Sequence, residues 1–191
     1  RFDIPVWRAF EEVLSLAKDN RVYVINFSGM IHQGDIYSIE AFKVFLRYWV
    51  ARFGAYYNYF GWSPTWEWGD VLSTTQINEI MQYVYNIDPW KRLLTTHDHS
   101  DNAFTGWLGF SMRQQQSRTV FDGNIHGGGI QGGVGSAFTG MPIIGSEDIW
   151  ETPSGAFGQP RNNDEVRRGA WGIMMAGVMP LYSEWHPNPP P

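Results

Sequence analysis

The stretch "YYNYFGWSPTWEWGD", residues 56–70, decides how this chain is read. Its first half is a short, nearly continuous apolar run, the pattern of a parallel strand covered on both faces. Its second half passes a proline and sets one carboxylate, Glu67, among the indoles of Trp62, Trp66 and Trp68 before a Gly-Asp pair. A buried strand that runs straight into polar chemistry is the unit to look for elsewhere.

Outward from that stretch, the unit recurs. Toward the amino end, residues 5–20 repeat Val6, Trp7, Phe10, Val13, Leu14 and Ala17 at helical spacing, and "RVYVINFSG" follows as a strand. Ser38 to Gly54 returns to a helical stripe of Phe42, Phe45, Leu46, Trp49 and Phe53. Toward the carboxyl end, Ser73 and Gln76 form a capping-box pattern ahead of a helix through Ile77, Ile80, Met81, Val84 and Ile87. "RLLTTHDHS" and "WLGFSMRQQ" then read as strands, "MPIIGSEDIW" as a strand with a polar end, residues 163–178 as a helix with Val166, Ala170, Ile173, Met174 and Gly177 inward, and "PLYSEW" as the last strand. Residues 121–140 break the rhythm, because "DGNIHGGGIQGGVGSAFTG" has too many glycines for a helix. Trp7, Trp49 and Trp171 lie on helical stripes and are expected in the core.

Helix and strand in alternation predict an α/β fold with parallel strands. An open doubly wound sheet and a (β/α)8 TIM barrel share that alternation. The glycine cluster follows no clean strand and lacks both GxGxxG and a phosphate-loop lysine, which counts against the open nucleotide-binding sheet. Chemistry at the carboxyl end of strand after strand favours the barrel.

Composition narrows the partners. With 191 residues, the chain has length for one domain with a sizeable core. A formal net charge of −5 and no basic block argue against nucleic acid or an anionic membrane. No apolar run approaches the roughly 18 residues of a spanning helix. There are no cysteines, hence no disulfide and no thiolate metal site. Ten tryptophans and 21 glycines in a chain that is 16% aromatic suggest a binding surface as well as a core.

The strand-end groups are Asn26 and Ser28, then Glu67, then His97, Asp98 and His99, then Gln114, then Glu147, and finally Tyr182 and Glu184. Glu67 and Glu147 stand out, each after a predicted strand and each with tryptophan nearby. Glycosidic bond cleavage uses two carboxyl groups, one protonating the leaving oxygen and one attacking or activating water. Indoles pack on the apolar faces of sugars, and their bulk raises the pKa of a neighbouring carboxyl toward that of a general acid. Trp62, Trp66 and Trp68 are therefore expected to shape the surroundings of Glu67, and Trp150 and Trp185 to wall the site. The alternative for Glu67 is a surface carboxylate on a tryptophan-rich core loop. "THDHSD", residues 96–101, offers a second chemistry, since two histidines one residue apart can ligate a metal. His32, His126 and His186 complete no known ligand set with them, so His97 and His99 are expected to touch substrate or to brace the strand. Gln114 could present its amide to sugar hydroxyls or be a solvated loop residue, and Tyr182 could orient a nucleophile or simply pack.

Three segments carry a family resemblance. "RYWVARFGAYYNYFGWSPTWEWGD" resembles the fourth-strand region of retaining (β/α)8 glycoside hydrolases, most nearly the apiosidase-like family. "MPIIGSEDIWE" is similar to its seventh-strand region, and "EVRRGAWGIMMAGVMPLYSEW" to its last helix and eighth strand. The likeness runs from about residue 5 to 186, with "HPNPPP" resembling the start of a proline-rich linker. It implies an incomplete barrel holding about strands 3 to 8, a retaining mechanism on a polysaccharide or its side chains, no cofactor and no metal. It implies Glu67 as general acid/base and Glu147 as nucleophile, with Glu151 the competing carboxylate. The family's asparagine before the acid/base, a contact for the sugar 2-hydroxyl, is replaced here by Trp66. A polysaccharide substrate implies an extracellular or periplasmic setting. A metal-dependent barrel hydrolase using His97 and His99, or a carbohydrate-binding barrel without catalysis, are the other functions the sequence allows.

Overall fold

The structure, a computed structural model, describes residues 3–25, 38–65, 72–98, 109–114, 142–151 and 179–184, together with Asp164, Arg167, Ala170, Trp171 and Met174. The elements run α1 (Ile4–Asp19), β1 (Val24–Ile25), α2 (Ile39–Phe53), β2 (Tyr59–Trp62), α3 (Thr74–Ile87), β3 (Leu93–Leu94), β4 (His97–Asp98), β5 (Ser111–Gln114), β6 (Ile143–Glu151) and β7 (Met179–Glu184). The chain divides into two compact units whose boundary falls between His97 and Asp98.

In the first unit the helix boundaries follow local chemistry. Asp3 caps α1 by accepting a hydrogen bond from Val6 N at 3.4 Å, and Pro5 sits in the first turn, where a missing N–H costs nothing. Ser38 caps α2, accepting from Ala41 N at 3.1 Å, and Gly54 ends it. At α3 the predicted capping box is formed: Ser73 Oγ accepts from Gln76 N at 3.3 Å, and Gln76 Oε1 accepts from Ser73 N at 2.9 Å.

The strands pair in parallel in the order β1-β2-β3. Gly61 is paired with Ile25 on one side and Leu93 on the other. A Cβ there would lie 3.0 Å from Leu93 O and 3.2 Å from Ile25 Cδ1, so the glycine permits close approach of the three strands.

Helices and sheet meet in an aromatic core. Trp7, Leu14, Phe42, Leu46, Trp49, Phe53, Tyr59, Trp62, Ile77, Ile80, Met81 and Val84 are all buried. Trp7 stacks on Phe53 at 5.3 Å and meets Tyr48 edge-on at 5.0 Å; Trp49 meets Trp62 edge-on at 5.4 Å. Such ring pairs contribute about 0.5–1.5 kcal/mol each beyond burial. The expected core placement of Trp7 and Trp49 holds.

Polar links fasten the helices. Arg52 donates to Glu11 through Nε at 2.7 Å and Nη2 at 2.9 Å, joining α2 to α1, and also donates to the Tyr48 hydroxyl. Lys43 bridges Glu40 of its own helix and Glu79 of α3, and these bonds push its pKa up to about 12.

In the second unit β5, β6 and β7 pair in parallel, and β4 completes a sheet of order β4-β5-β6-β7. Parallel strands with sequential neighbours and helices between them make this an α/β fold, as predicted. Three expectations are corrected. "RLLTTHDHS" is not one strand: β3 pairs in the first sheet and β4 in the second. Val6 and Val13 are 55% and 53% exposed, because α1 buries only the Trp7–Leu14 side of its stripe. Trp171 and Met174 have helical backbone as expected but are 60% and 53% exposed, not in the core. Among the described residues no helix is long and apolar enough to cross a membrane. The glycine-rich loop, Asn26, Ser28 and the proline-rich end lie outside the described residues.

Candidate active site

Parallel strands deliver side chains to one edge, the carboxyl ends, and both units carry polar residues there. In the first unit, β2 and β3 end in hydroxyl residues. Thr95 N donates to Trp62 O at 2.9 Å, which carries the pairing one step past the strands. At that level Ser63, Thr65, Thr95 and Thr96 are all buried. Among the described residues the Thr65 hydroxyl has no hydrogen-bond partner, whereas Thr95 Oγ1 makes a long bond to Thr96 O at 3.5 Å.

Trp62 corrects an expectation. It is fully buried in the core, and its Nε1 donates to Asp88 Oδ2 at 2.8 Å. An indole so enclosed offers no face to a sugar. Composition could not separate it from Trp66 and Trp68, but its position within the apolar run, before Pro64, was the signal. Trp66, Glu67 and Trp68 lie outside the described residues.

In the second unit β6 is the central strand of a parallel triple. On one side Ser111, Met112, Arg113 and Gln114 pair in step with Ile143, Ile144, Gly145 and Ser146. On the other side the step fails. Gly145 pairs with Pro180, yet Ile149 pairs with Tyr182, so β6 spends four residues where β7 spends two. The surplus is the Ser146-Glu147-Asp148 segment, a bulge. Bulges interrupt the ladder, bend the strand and re-aim what they carry, and they concentrate near active sites.

Glu147 is therefore the residue of β6 just beyond the level where β5 ends, within the bulge. Gln114, paired with Ser146, and Tyr182, paired with Ile149, flank the same level from β5 and β7. Trp150 pairs with Ser183 one step further on. So the backbone gathers four of the candidate residues along one edge of one sheet. His97 is in β4, while His99 and Trp185 lie outside the described residues. Among the described residues no group of three or more His, Asp or Glu is arranged to hold a metal ion.

One juxtaposition was not foreseen. Glu151 and Glu184 are register partners at the ends of β6 and β7. Each was visible alone as a strand-end carboxylate; their pairing depends on the two-residue slip of the bulge, which no sequence pattern discloses.

No family model and no curated protein matches this chain. Solved structures do, the following two among them. A provisionally assigned glycoside hydrolase from Bacteroides vulgatus ATCC 8482 matches with a TM-score of 0.72 and 15% identity, over 100% of this chain and 38% of that one. A β-D-glucuronidase from Dictyoglomus thermophilum matches with a TM-score of 0.62 and 12% identity, over 92% of this chain and 36% of that one. The chain thus spans little more than a third of the length of either. At such identities the likeness is one of fold: this chain has a glycoside-hydrolase-like α/β fold.

Proposed function

We propose that the chain belongs to a glycoside hydrolase built on a (β/α)8 barrel, of the apiosidase-like kind, that cleaves O-glycosidic bonds in a polysaccharide or its side chains with retention. Glu147 attacks the anomeric carbon and forms the glycosyl–enzyme bond. Glu67 first protonates the leaving oxygen and then takes a proton from the water that releases the sugar. Trp66, Trp68, Trp150 and Trp185 supply apolar faces for sugar rings, and Gln114, His97, His99 and Tyr182 supply polar contacts. No cofactor enters the scheme.

The observation that carries this reading is the bulge that holds Glu147 in the central strand of β5-β6-β7. A regular strand would fill those positions with ladder hydrogen bonds alone. The glycoside-hydrolase-like fold supports it independently. Glu151, at the end of β6 beside Glu184, is the second candidate for the nucleophile.

The test is a panel of aryl glycosides and their 2-deoxy-2-fluoro analogues, given to the wild-type protein and to Glu147→Gln. Wild type is expected to turn over at least one glycoside, to release the anomer of retained configuration, and to gain one fluoro-sugar on the Glu147 peptide. Glu147→Gln is expected to lose turnover by about 10³-fold or more, the scale of removing a covalent nucleophile. Undiminished turnover in that variant, or label on Glu151, removes Glu147 from the role.

A further inference from the structure

Three aromatic side chains are exposed at the amino-terminal end of the β1-β2-β3 sheet. Tyr23 immediately precedes β1, Tyr57 lies two residues before β2, and Trp90 lies three residues before β3. They are 63%, 66% and 69% exposed. Among the described residues none of these rings packs on another ring, and neither the two phenol hydroxyls nor the indole N–H has a hydrogen-bond partner. A single exposed ring is ordinary, but three on neighbouring turns at one end of a sheet form a surface.

Polar groups tie these turns together. Asn58 Nδ2 donates to Val22 O at 3.3 Å and to Leu14 O at 3.0 Å, and Val24 N donates to Asn58 O at 2.7 Å, so the turns of Tyr23 and Tyr57 are joined. Arg92 donates to the carbonyls of Gly54 and Tyr56, which joins the turn of Tyr57 to that of Trp90. The two outer turns each pass through a left-handed residue, Arg21 at φ 59° and Lys91 at φ 50°. Side chains other than glycine adopt that conformation where their surroundings hold them in it. Here Arg21 N donates to Lys18 O at 3.0 Å, and Lys91 Nζ donates to Tyr85 O at 2.6 Å. The three rings therefore stand on a fixed base.

We propose that Tyr23, Tyr57 and Trp90 form a second carbohydrate-binding surface, on which sugar rings of a polysaccharide stack at the end of the sheet away from its carboxyl edge. The choice of a polysaccharide rests on the glycosidase reading above. Three features favour it over a protein partner. Phenol and indole rings offer an apolar face to a sugar ring and a polar tip to its hydroxyls, and all three tips are open here. Charged residues, Arg21 and Lys91, interleave with the rings, whereas the core of a protein interface is depleted of charge. And rings on fixed turns lose little freedom on binding, which suits a ligand held by few contacts.

The test runs the polypeptide, as its host cell produces it, through native gels that contain hydroxyethylcellulose, xylan, galactomannan or polygalacturonate. At least one polymer should retard it, and should retard Glu147→Gln equally, which separates this surface from catalysis. Trp90→Ala and Tyr57→Ala should each raise the apparent Kd for that polymer about tenfold, the scale of one stacked ring, with the urea midpoint unchanged. No retardation in any polymer overturns the proposal, and leaves the glycosidase reading standing where aryl glycosides are still cleaved. Undiminished retardation when Tyr57→Ala and Trp90→Ala are combined overturns it too, as does retardation lost in Glu147→Gln. Tyr57→Cys tests for another occupant: its thiol should react freely with a maleimide and be shielded by the polymer. Slow labelling without polymer would mean that protein covers this face, and also overturns the proposal.

Discussion

The two ends of the β2–β3 pair are built on opposite principles. At the amino ends Asp88 and Arg92 form a closed network that the indole of Trp62, the last residue of β2, reaches with its side chain. Asp88 is 1% exposed and accepts four hydrogen bonds, from Trp62 Nε1 at 2.8 Å, Trp90 N at 3.1 Å, Arg92 N at 2.9 Å and Arg92 Nη1 at 3.1 Å. Arg92 spends its other donors on the carbonyls of Tyr59, Gly54 and Tyr56, and its guanidinium lies 5.6 Å from the Trp62 ring centre. At the carboxyl ends Ser63, Thr65, Thr95 and Thr96 are buried hydroxyl residues, and Thr65 Oγ1 has no partner among the described residues. In parallel-strand barrels the amino face serves stability and the carboxyl face serves chemistry. The contrast within one strand pair is between a charged network at one end and a cluster of buried hydroxyls at the other; among the described residues Thr65 Oγ1 is without a partner at the carboxyl end, as is Asn58 Oδ1 just before β2.

The largest effect that could break this comparison is at Asp88. Asp88→Ala strips the half-buried Arg92 guanidinium of its buried counter-charge and leaves the Trp62 N–H unpaired in the core. Removing one partner of a buried pair costs about 3–5 kcal/mol, a large part of a small domain's stability. Urea unfolding should show the midpoint collapse with little change in slope. A loss below about 1 kcal/mol would mean the network is ornamental and the amino face no more committed to stability than the other.

The amino-side packing was largely legible beforehand. Helical stripes placed Phe42, Leu46, Trp49, Ile77 and Met81 in the core, and the Ser73–Gln76 pattern placed the start of α3, because period and capping are local properties. Trp62, Val13 and Trp171 were misassigned for a shared reason. Periodicity tells which residues share a face, not whether another element covers that face. The Glu147 bulge and the Glu151–Glu184 pairing were invisible, since register is fixed between strands that lie some 35 residues apart in the chain, beyond any local pattern. The tryptophan-flanked Glu67 was legible as chemistry but lies outside the described residues, so its role rests on the sequence.

A middle-sized effect sharpens the comparison from the carboxyl side. The capping box of α3 sits at that end of the unit, because helix α3 starts where the chain returns from β2. It is the feature there that serves stability alone. Ser73→Ala removes the acceptor for Gln76 N and should cost about 1 kcal/mol, the usual worth of a helix cap. The same unfolding assay reads it, and activity on any glycoside the wild type cleaves should be unchanged. A loss of turnover with little loss of stability would extend the functional edge to the start of α3.

The smallest expected effect is the most discriminating. Thr65→Val keeps the branched shape and replaces the hydroxyl with a methyl. A buried hydroxyl without a partner is unfavourable by about 1–3 kcal/mol, so losing it should leave stability within about 1 kcal/mol of wild type, with any change toward greater stability. Asp88 and Thr65 would then differ in sign although both are buried polar residues beside the same strands. Loss of stability by more than about 1 kcal/mol would mean the hydroxyl is already satisfied in the folded chain, and the division between the two faces would fail at its clearest point. Retained stability with reduced turnover would give the opposite lesson: the fold keeps an unfavourable group at the carboxyl edge because a bound sugar, or the carboxyl that serves it, completes the hydrogen bond.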